Sequence, residues 1–174
     1  IHHHGQETRA AVEDARESVA KLLCCAASAI VFTSGGTESD NLAIAGWVTA
    51  GDHVITSSIE HHAVLHACKH LEKTGCEVTI LPVDGRGLID PGDVRRALRR
   101  NTKLISVMMA NNETGVLQPV EEIGKIAAEA NVLFVVNLQR SSANLSTQYA
   151  NIMIGLAGYL QSVGLQIDSM GVLP

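Results

Sequence analysis

The chain has 174 residues, 46% of them hydrophobic, with a net charge of -5 and a pI near 5.9. This length fits one α/β domain or a large piece of one, and an acidic chain lacks the basic field that nucleic-acid binding needs. No apolar run approaches the ~20 residues that span a bilayer, so we expect a soluble, cytoplasmic protein that binds neither nucleic acid nor membrane. Its four cysteines lack the spacing of zinc sites and indicate reduced thiols.

Helix and strand patterns alternate along the chain. Apolar residues at helical spacing predict a first helix over 8–23, and a short buried strand follows at Ile30–Phe32. The later predicted elements are helix 38–48, strand 53–57, helix 62–73, strand 77–84, helix 91–100, strand 103–110, helix 120–130 and strand 132–136. Strands that alternate with helices predict an α/β fold, a mostly parallel sheet with helices on both faces.

A glycine-rich junction follows the first predicted strand. Gly35 and Gly36 permit a tight turn, and the helix that begins near Thr37 would direct unpaired N–H groups at an anion such as phosphate. Thr37 could add a hydroxyl donor. Taken alone, the stretch fits a plain turn with a capping residue equally well, and it contains neither a Walker nor a dinucleotide-binding pattern.

Two polar loops follow other predicted strands. Glu60-His61-His62 comes after the second strand and Asn111–Gly115 after the fourth. Either loop alone is typical of solvated surface. Because the carboxyl ends of parallel strands share one edge of a sheet, both loops and the glycine junction are expected to converge there, and together they indicate a ligand site.

The motifs stand in a characteristic order. They are His2-x-x-Gly5, the stretch Phe32-Thr-Ser-Gly-Gly-Thr-Glu-Ser-Asp-Asn-Leu42, Glu60-His61, and Met109-Ala-Asn-Asn-Glu-Thr-Gly115. In this order and nearly this spacing, the chain resembles the cysteine desulfurase and selenocysteine lyase family, within the class V aminotransferase group of fold-type I enzymes. The resemblance runs from about His2 to Val136. It implies that residues 1–137 are part of the large domain that binds pyridoxal 5′-phosphate, followed by a divergent tail, 138–174.

The resemblance also implies roles for individual residues. Gly36 and Thr37 would bind the phosphate of pyridoxal 5′-phosphate, and His61 would stack on its ring and take part catalytically in proton transfer. Asn112 would bind the phenolic oxygen, and Asn137 stands where the family has an Asp that pairs with the protonated ring nitrogen. The implied substrate is cysteine or selenocysteine, which yields alanine, and a sulfur or selenium acceptor protein and a homodimer are expected. The implied setting is iron–sulfur cluster biogenesis.

The chain departs from the family pattern after its last predicted strand. Asn137 brings no negative charge, and Arg140 stands where the family has Gln. The segment that carries the Schiff-base lysine has no counterpart, since Lys125 is the last lysine, and the loop with the catalytic cysteine has none either. We therefore expect the chain alone to bind the cofactor weakly and to be catalytically incompetent.

Two other functions remain open from the sequence. His62, His66 and His70 have i, i+4, i+8 spacing with His61 beside them, which is compatible with a metal-binding module. The same helix has apolar residues to bury, which also makes these histidines an ordinary solvated face. The other alternative is a non-catalytic remnant that pairs with a full-length family member.

Overall fold

The computed structural model describes residues 3–137, with side chains from Gly5 onward. The predicted tail 138–174 lies outside the described residues. Within the described residues, the chain divides into two compact units, one before and one after the boundary between Thr33 and Ser34. Between residues 3 and 137, no helix is both long and apolar enough to cross a membrane.

The first unit consists of helix α1 (His3–Leu22) and a 3-10 turn at Ala27–Ala29. The strand predicted at Ile30–Phe32 is wrong: the segment pairs with no other strand within residues 3–137, and Val31 and Phe32 are 65% and 44% exposed. A β-strand requires a neighbour for its N–H and C=O groups, which apolar composition alone does not provide. The Arg16 guanidinium instead lies 5.0 Å from the centre of the Phe32 ring.

The second unit contains a sheet of four strands, which are β1 (His53–Ser57), β2 (Glu77–Leu81), β3 (Thr102–Met108) and β4 (Leu133–Asn137). Their order is β2-β1-β3-β4, and every neighbouring pair is parallel. The carboxyl ends of all four strands therefore lie at one edge of the sheet. Strand β2 ends three residues earlier than predicted, because Pro82 has no N–H to continue the ladder.

Helices cover both faces of this sheet, as the alternating pattern predicted. They are α2 (Gly36–Ala45), α3 (His62–Lys73), α4 (Pro91–Ala97) and α5 (Val120–Glu129). Alternate strand residues point to opposite faces: Val54, Leu104 and Val135 pack with α2 and α3, whereas Ile55, Ile105 and Phe134 pack with α4 and α5. Both clusters are buried, which confirms the α/β fold with a parallel sheet.

The ends of two helices follow local sequence signals. Asp90 caps α4, since its Oδ1 accepts a hydrogen bond from the Gly92 N–H at 2.8 Å, and Pro91 occupies the first helical position. Helix α3 ends before Gly75, whose φ of +94° is the left-handed conformation that glycine adopts most easily. These signals set where each helix begins or ends relative to the strands.

Candidate functional site

Four segments meet at the carboxyl edge of the sheet: the start of α2, the β1–α3 loop, the β3–α5 loop and the last residue of β4. In the ladder, Met108 at the end of β3 pairs with Asn137 at the end of β4. Hydrogen bonds between side chains and neighbouring loops connect the remaining segments. Each predicted site residue lies on one of these four segments, and each assigned role stays a prediction.

Gly36 and Thr37 are the first two residues of α2. Gly35 precedes them in an extended conformation, and no side chain caps the helix. The Glu38 carboxylate accepts hydrogen bonds from the Ser34 N–H and hydroxyl, both at 2.6 Å, and these bonds hold its pKa below the usual value. Thr37 is exposed to solvent. The helix start therefore offers N–H groups and a hydroxyl, and the neighbouring Glu38 carboxylate is hydrogen-bonded to Ser34.

His61 lies between strand β1 and helix α3 and is half-buried. Its Nδ1 accepts a hydrogen bond from the Ala63 N–H at 3.2 Å, so the imidazole caps α3. In the neutral ring, the proton must then be on Nε2. The cap fixes the ring orientation and leaves Nε2–H as the group that can donate.

Glu60, immediately before His61, connects two strands. Its Oε1 accepts hydrogen bonds from the Met108 N–H at 2.6 Å and from the Ser57 hydroxyl at 3.2 Å. Glu60 is only 5% exposed, and burial raises the pKa of its carboxyl to about 7, with the nearby charge of Asp40 adding to the increase. This buried carboxyl positions His61 relative to the end of β3.

Asn111 organises the β3–α5 loop. Its Oδ1 accepts hydrogen bonds from the N–H groups of Glu113 and Thr114 at 3.0 and 2.9 Å, and its Nδ2 donates to the Ile59 carbonyl at 3.0 Å. Gly115, with φ of +75°, completes the turn. Asn112 is half-buried in the same loop. The Asn111 amide therefore attaches the loop that carries Asn112 to the loop that carries His61.

Asn137 ends β4 and contacts helix α2. Its Nδ2 donates to Asp40 Oδ1 at 3.2 Å, and both side chains are 1% exposed. Burial raises the pKa of Asp40 to about 6. Asn137 Oδ1 and Asp40 Oδ2 are buried without a hydrogen-bond partner among the described residues. The hydrogen bond between Asn137 and Asp40 connects the first turns of α2 to the end of β4.

Three of these polar residues were not predicted as site residues, namely Asp40, Glu60 and Asn111. Asp40 had a signal in the sequence, since it lies four residues before the buried Ile44 and so shares the buried face of α2. A charged side chain at a position where a helix should be apolar indicates a specific partner. Glu60 and Asn111 lie in the two polar loops, but the bonds that join them to other segments had no comparable signal, because Met108 and Ile59 are 48 and 52 residues away.

The histidine cluster on α3 does not form a metal site in the described part of the chain. His62 and His66 stack with ring centres 6.2 Å apart, and His62, His66 and His70 are all exposed. Within residues 5–137, no group of three or more His, Cys, Asp or Glu side chains could hold a metal ion. The metal-binding alternative therefore has no support.

The chain matches the aminotransferase class-V family over residues 1–152. Among curated relatives, it is 54% identical over 138 residues to cysteine desulfurase IscS of Dictyoglomus turgidum, covering 77% of this chain and 35% of that protein. It is 51% identical over 138 residues to cysteine desulfurase IscS of Methanosarcina thermophila, covering 77% of this chain and 34% of that protein. The chain thus spans about a third of the length of these relatives.

Solved structures show the same similarity. SspA in complex with cysteine has a TM-score of 0.73 and 36% identity, covering 80% of this chain and 47% of that one. The apo cysteine desulfurase from Thermococcus onnurineus NA1 has a TM-score of 0.72 and 32% identity, covering 82% of this chain and 36% of that one. The family match extends past residue 137, where the resemblance of the motifs ended. The chain therefore belongs to the class-V aminotransferase family, and its relatives are cysteine desulfurases.

Proposed function

We propose that this chain is the cofactor-binding part of a cysteine desulfurase, with pyridoxal 5′-phosphate as cofactor and cysteine as substrate. The observation that carries the proposal is the convergence of four segments at one sheet edge, with Thr37, His61, Asn112 and Asn137 among their residues. The names of the relatives support the reaction. A sulfur acceptor protein, a homodimer and a cytoplasmic location remain predictions from the family, as does selenocysteine as another substrate.

The polar groups at this edge fit the chemistry of the cofactor. The exposed start of α2 suits a phosphate group, since helix N–H groups and a hydroxyl bind anions. The orphaned Oδ1 of Asn137 is a buried acceptor that a protonated ring nitrogen would satisfy. When bound, the cofactor supplies an electron sink for cleavage of the carbon–sulfur bond.

The chain's own residues then have distinct tasks. Gly36 and Thr37 would bind the phosphate, and Asn112 would donate its amide to the phenolic oxygen. The cap at Ala63 holds the His61 ring, whose Nε2–H is the group that can move a proton. Glu60 does not touch the substrate in this scheme and acts by fixing His61 beside the end of β3.

Binding of pyridoxine 5′-phosphate tests this proposal. This compound has an alcohol in place of the aldehyde, so it cannot react with surface lysines. We expect calorimetry to detect binding that depends on the phosphate, and Thr37→Val should weaken it about tenfold by removing one hydrogen bond to a charged group.

Thr74→Val is the matched control, since Thr74 lies at the C-terminal end of α3, at the opposite edge of the sheet. Equal affinities of the wild type and Thr37→Val would contradict the assignment of Thr37. No binding of pyridoxine 5′-phosphate to the wild type would contradict the proposed function.

The lysines lead to a second expected result. Lys103 follows the first residue of β3, so it lies near the amino edge of the sheet, and exposed Lys125 pairs with Glu121 at 2.9 Å on α5. Incubation with pyridoxal 5′-phosphate and reduction with borohydride should therefore modify no single lysine stoichiometrically, and cysteine should yield no alanine. Peptide mapping against a sample reduced without cofactor checks this. A stoichiometric adduct on one lysine, together with alanine formation, would contradict it.

A further inference from the structure

Asp40 and Asn137 form a buried pair, and Asn137 stands where the resemblance implies an aspartate. Asp40 lies in the second turn of α2 and Asn137 at the end of β4, and both are 1% exposed. The bond from Asn137 Nδ2 to Asp40 Oδ1, at 3.2 Å, joins residues that are 97 positions apart. The negative charge that Asn137 lacks is therefore present on the residue to which it is bonded.

This bond determines which way the Asn137 amide faces. An ionised carboxylate can only accept hydrogen bonds, so the NH₂ group of Asn137 must face Asp40 and its oxygen must face away. Although burial raises the pKa of Asp40 to about 6, the carboxyl is mostly ionised at neutral pH and above. The amide oxygen has no partner among the described residues, which makes it a buried acceptor that requires a donor.

We infer that Asp40 is a positioning residue that turns Asn137 into the acceptor for the protonated ring nitrogen of pyridoxal 5′-phosphate. The inference rests on the proposed function. Asn137 Oδ1 would accept a hydrogen bond from the ring N–H, while Asn137 Nδ2 donates to the Asp40 carboxylate. In a buried chain of hydrogen bonds each member polarises the next, so the charge of Asp40 favours the protonated ring through the amide.

Without Asp40, Asn137 would not favour the protonated form of the ring nitrogen. Its amide could rotate and present NH₂ to the ring, which would favour the unprotonated nitrogen. Asp40→Asn removes the negative charge. It also leaves the orientation of the Asn137 amide undetermined, because a second amide at position 40 can either donate or accept a hydrogen bond. The substitution keeps the size of the side chain, and a hydrogen bond to Asn137 remains available.

The test compares two probes that differ only at the ring nitrogen. Calorimetry measures binding of pyridoxine 5′-phosphate and of its 1-deaza analogue, in which a C–H group replaces the nitrogen. We expect the wild type to prefer the nitrogen-containing compound, and Asp40→Asn to reduce this preference about tenfold or more. Asp40→Asn combined with Asn137→Asp should restore the preference, because the carboxylate then contacts the ring directly. Asp93→Asn, on the opposite face of the sheet, is the control and should leave it unchanged.

The possible failures are distinguishable. If the wild type binds neither probe, the proposed function and this inference both fail. If it binds pyridoxine 5′-phosphate but the preference for the nitrogen survives Asp40→Asn, only the inference fails. The ¹⁵N chemical shift of labelled pyridoxine 5′-phosphate bound to the wild type reports protonation without any substitution. A shift typical of an unprotonated ring nitrogen would also overturn the inference.

Discussion

Replacing Glu60 by glutamine should make the free energy of unfolding less dependent on pH. Burial raises the pKa of Glu60 to about 7 in the folded chain, against an ordinary value of 4.5. Between these values the folded state holds a proton that the unfolded state has lost. Stability from this group is therefore greatest below pH 4.5 and falls as the pH rises through 7.

The size of the effect follows from the two pKa values. The difference between them corresponds to a decrease of about 3 kcal/mol in the free energy of unfolding between pH 4.5 and 8. Glutamine does not titrate and keeps an oxygen that can accept from the Met108 N–H, so that part of the pH dependence should disappear. Urea unfolding of the wild type and Glu60→Gln across this pH range measures the difference in slope.

Glu122→Gln is the matched control, because Glu122 is exposed on α5 and the substitution removes the same charge. Glu60→Gln also buries an NH₂ group, which lowers the free energy of unfolding by an amount that does not vary with pH. The informative quantity is therefore the slope of the free energy of unfolding against pH, and not its absolute value. Equal slopes for the wild type and Glu60→Gln would show that folding does not raise the pKa of the Glu60 carboxyl.

The sequence predicted the sheet well because the relevant signals are local. Apolar runs marked β1, β3 and β4, and Asp90, Pro91 and Gly75 marked helix ends through their own backbone preferences. The error at Ile30–Phe32 has the opposite origin. Whether an extended segment becomes a strand depends on a neighbour elsewhere in the chain, and composition does not report that neighbour.

The location of the site could be predicted because its loops follow the ends of predicted strands. The loops that carry His61 and Asn112 follow buried strands, so their common edge could be inferred from parallel topology. The bonds that fix these loops could not, since Glu60 and Met108 are 48 residues apart, and Asn111 and Ile59 are 52 apart. Burial and nearby charge, which raise the pKa of Glu60, arise only once those contacts form.

The opposite edge of the sheet contains the buried side chain of His53, and removal of this side chain should destabilise the fold strongly. His53, the first residue of β1, is fully buried. Its Nδ1 bonds the Thr102 hydroxyl and its Nε2 bonds the Thr79 hydroxyl, each at 2.8 Å, so the ring connects three adjacent strands. Burial, with the charge of Arg99, lowers the pKa of His53, which keeps the ring neutral and makes protonation below pH 6.5 unfavourable to folding.

We expect His53→Ala to lower the free energy of unfolding at pH 7.5 by about 3 kcal/mol, because it leaves a cavity and deprives two hydroxyls of a partner. Urea unfolding measures the loss, and His70→Ala, on the exposed face of α3, should change it by less than about 0.5 kcal/mol. A double-mutant cycle with Thr79→Val should assign about 1 kcal/mol to the Nε2 bond. If His53→Ala loses less than about 1 kcal/mol, the ring does not hold these strands together, and the amino edge of the sheet depends on backbone pairing alone.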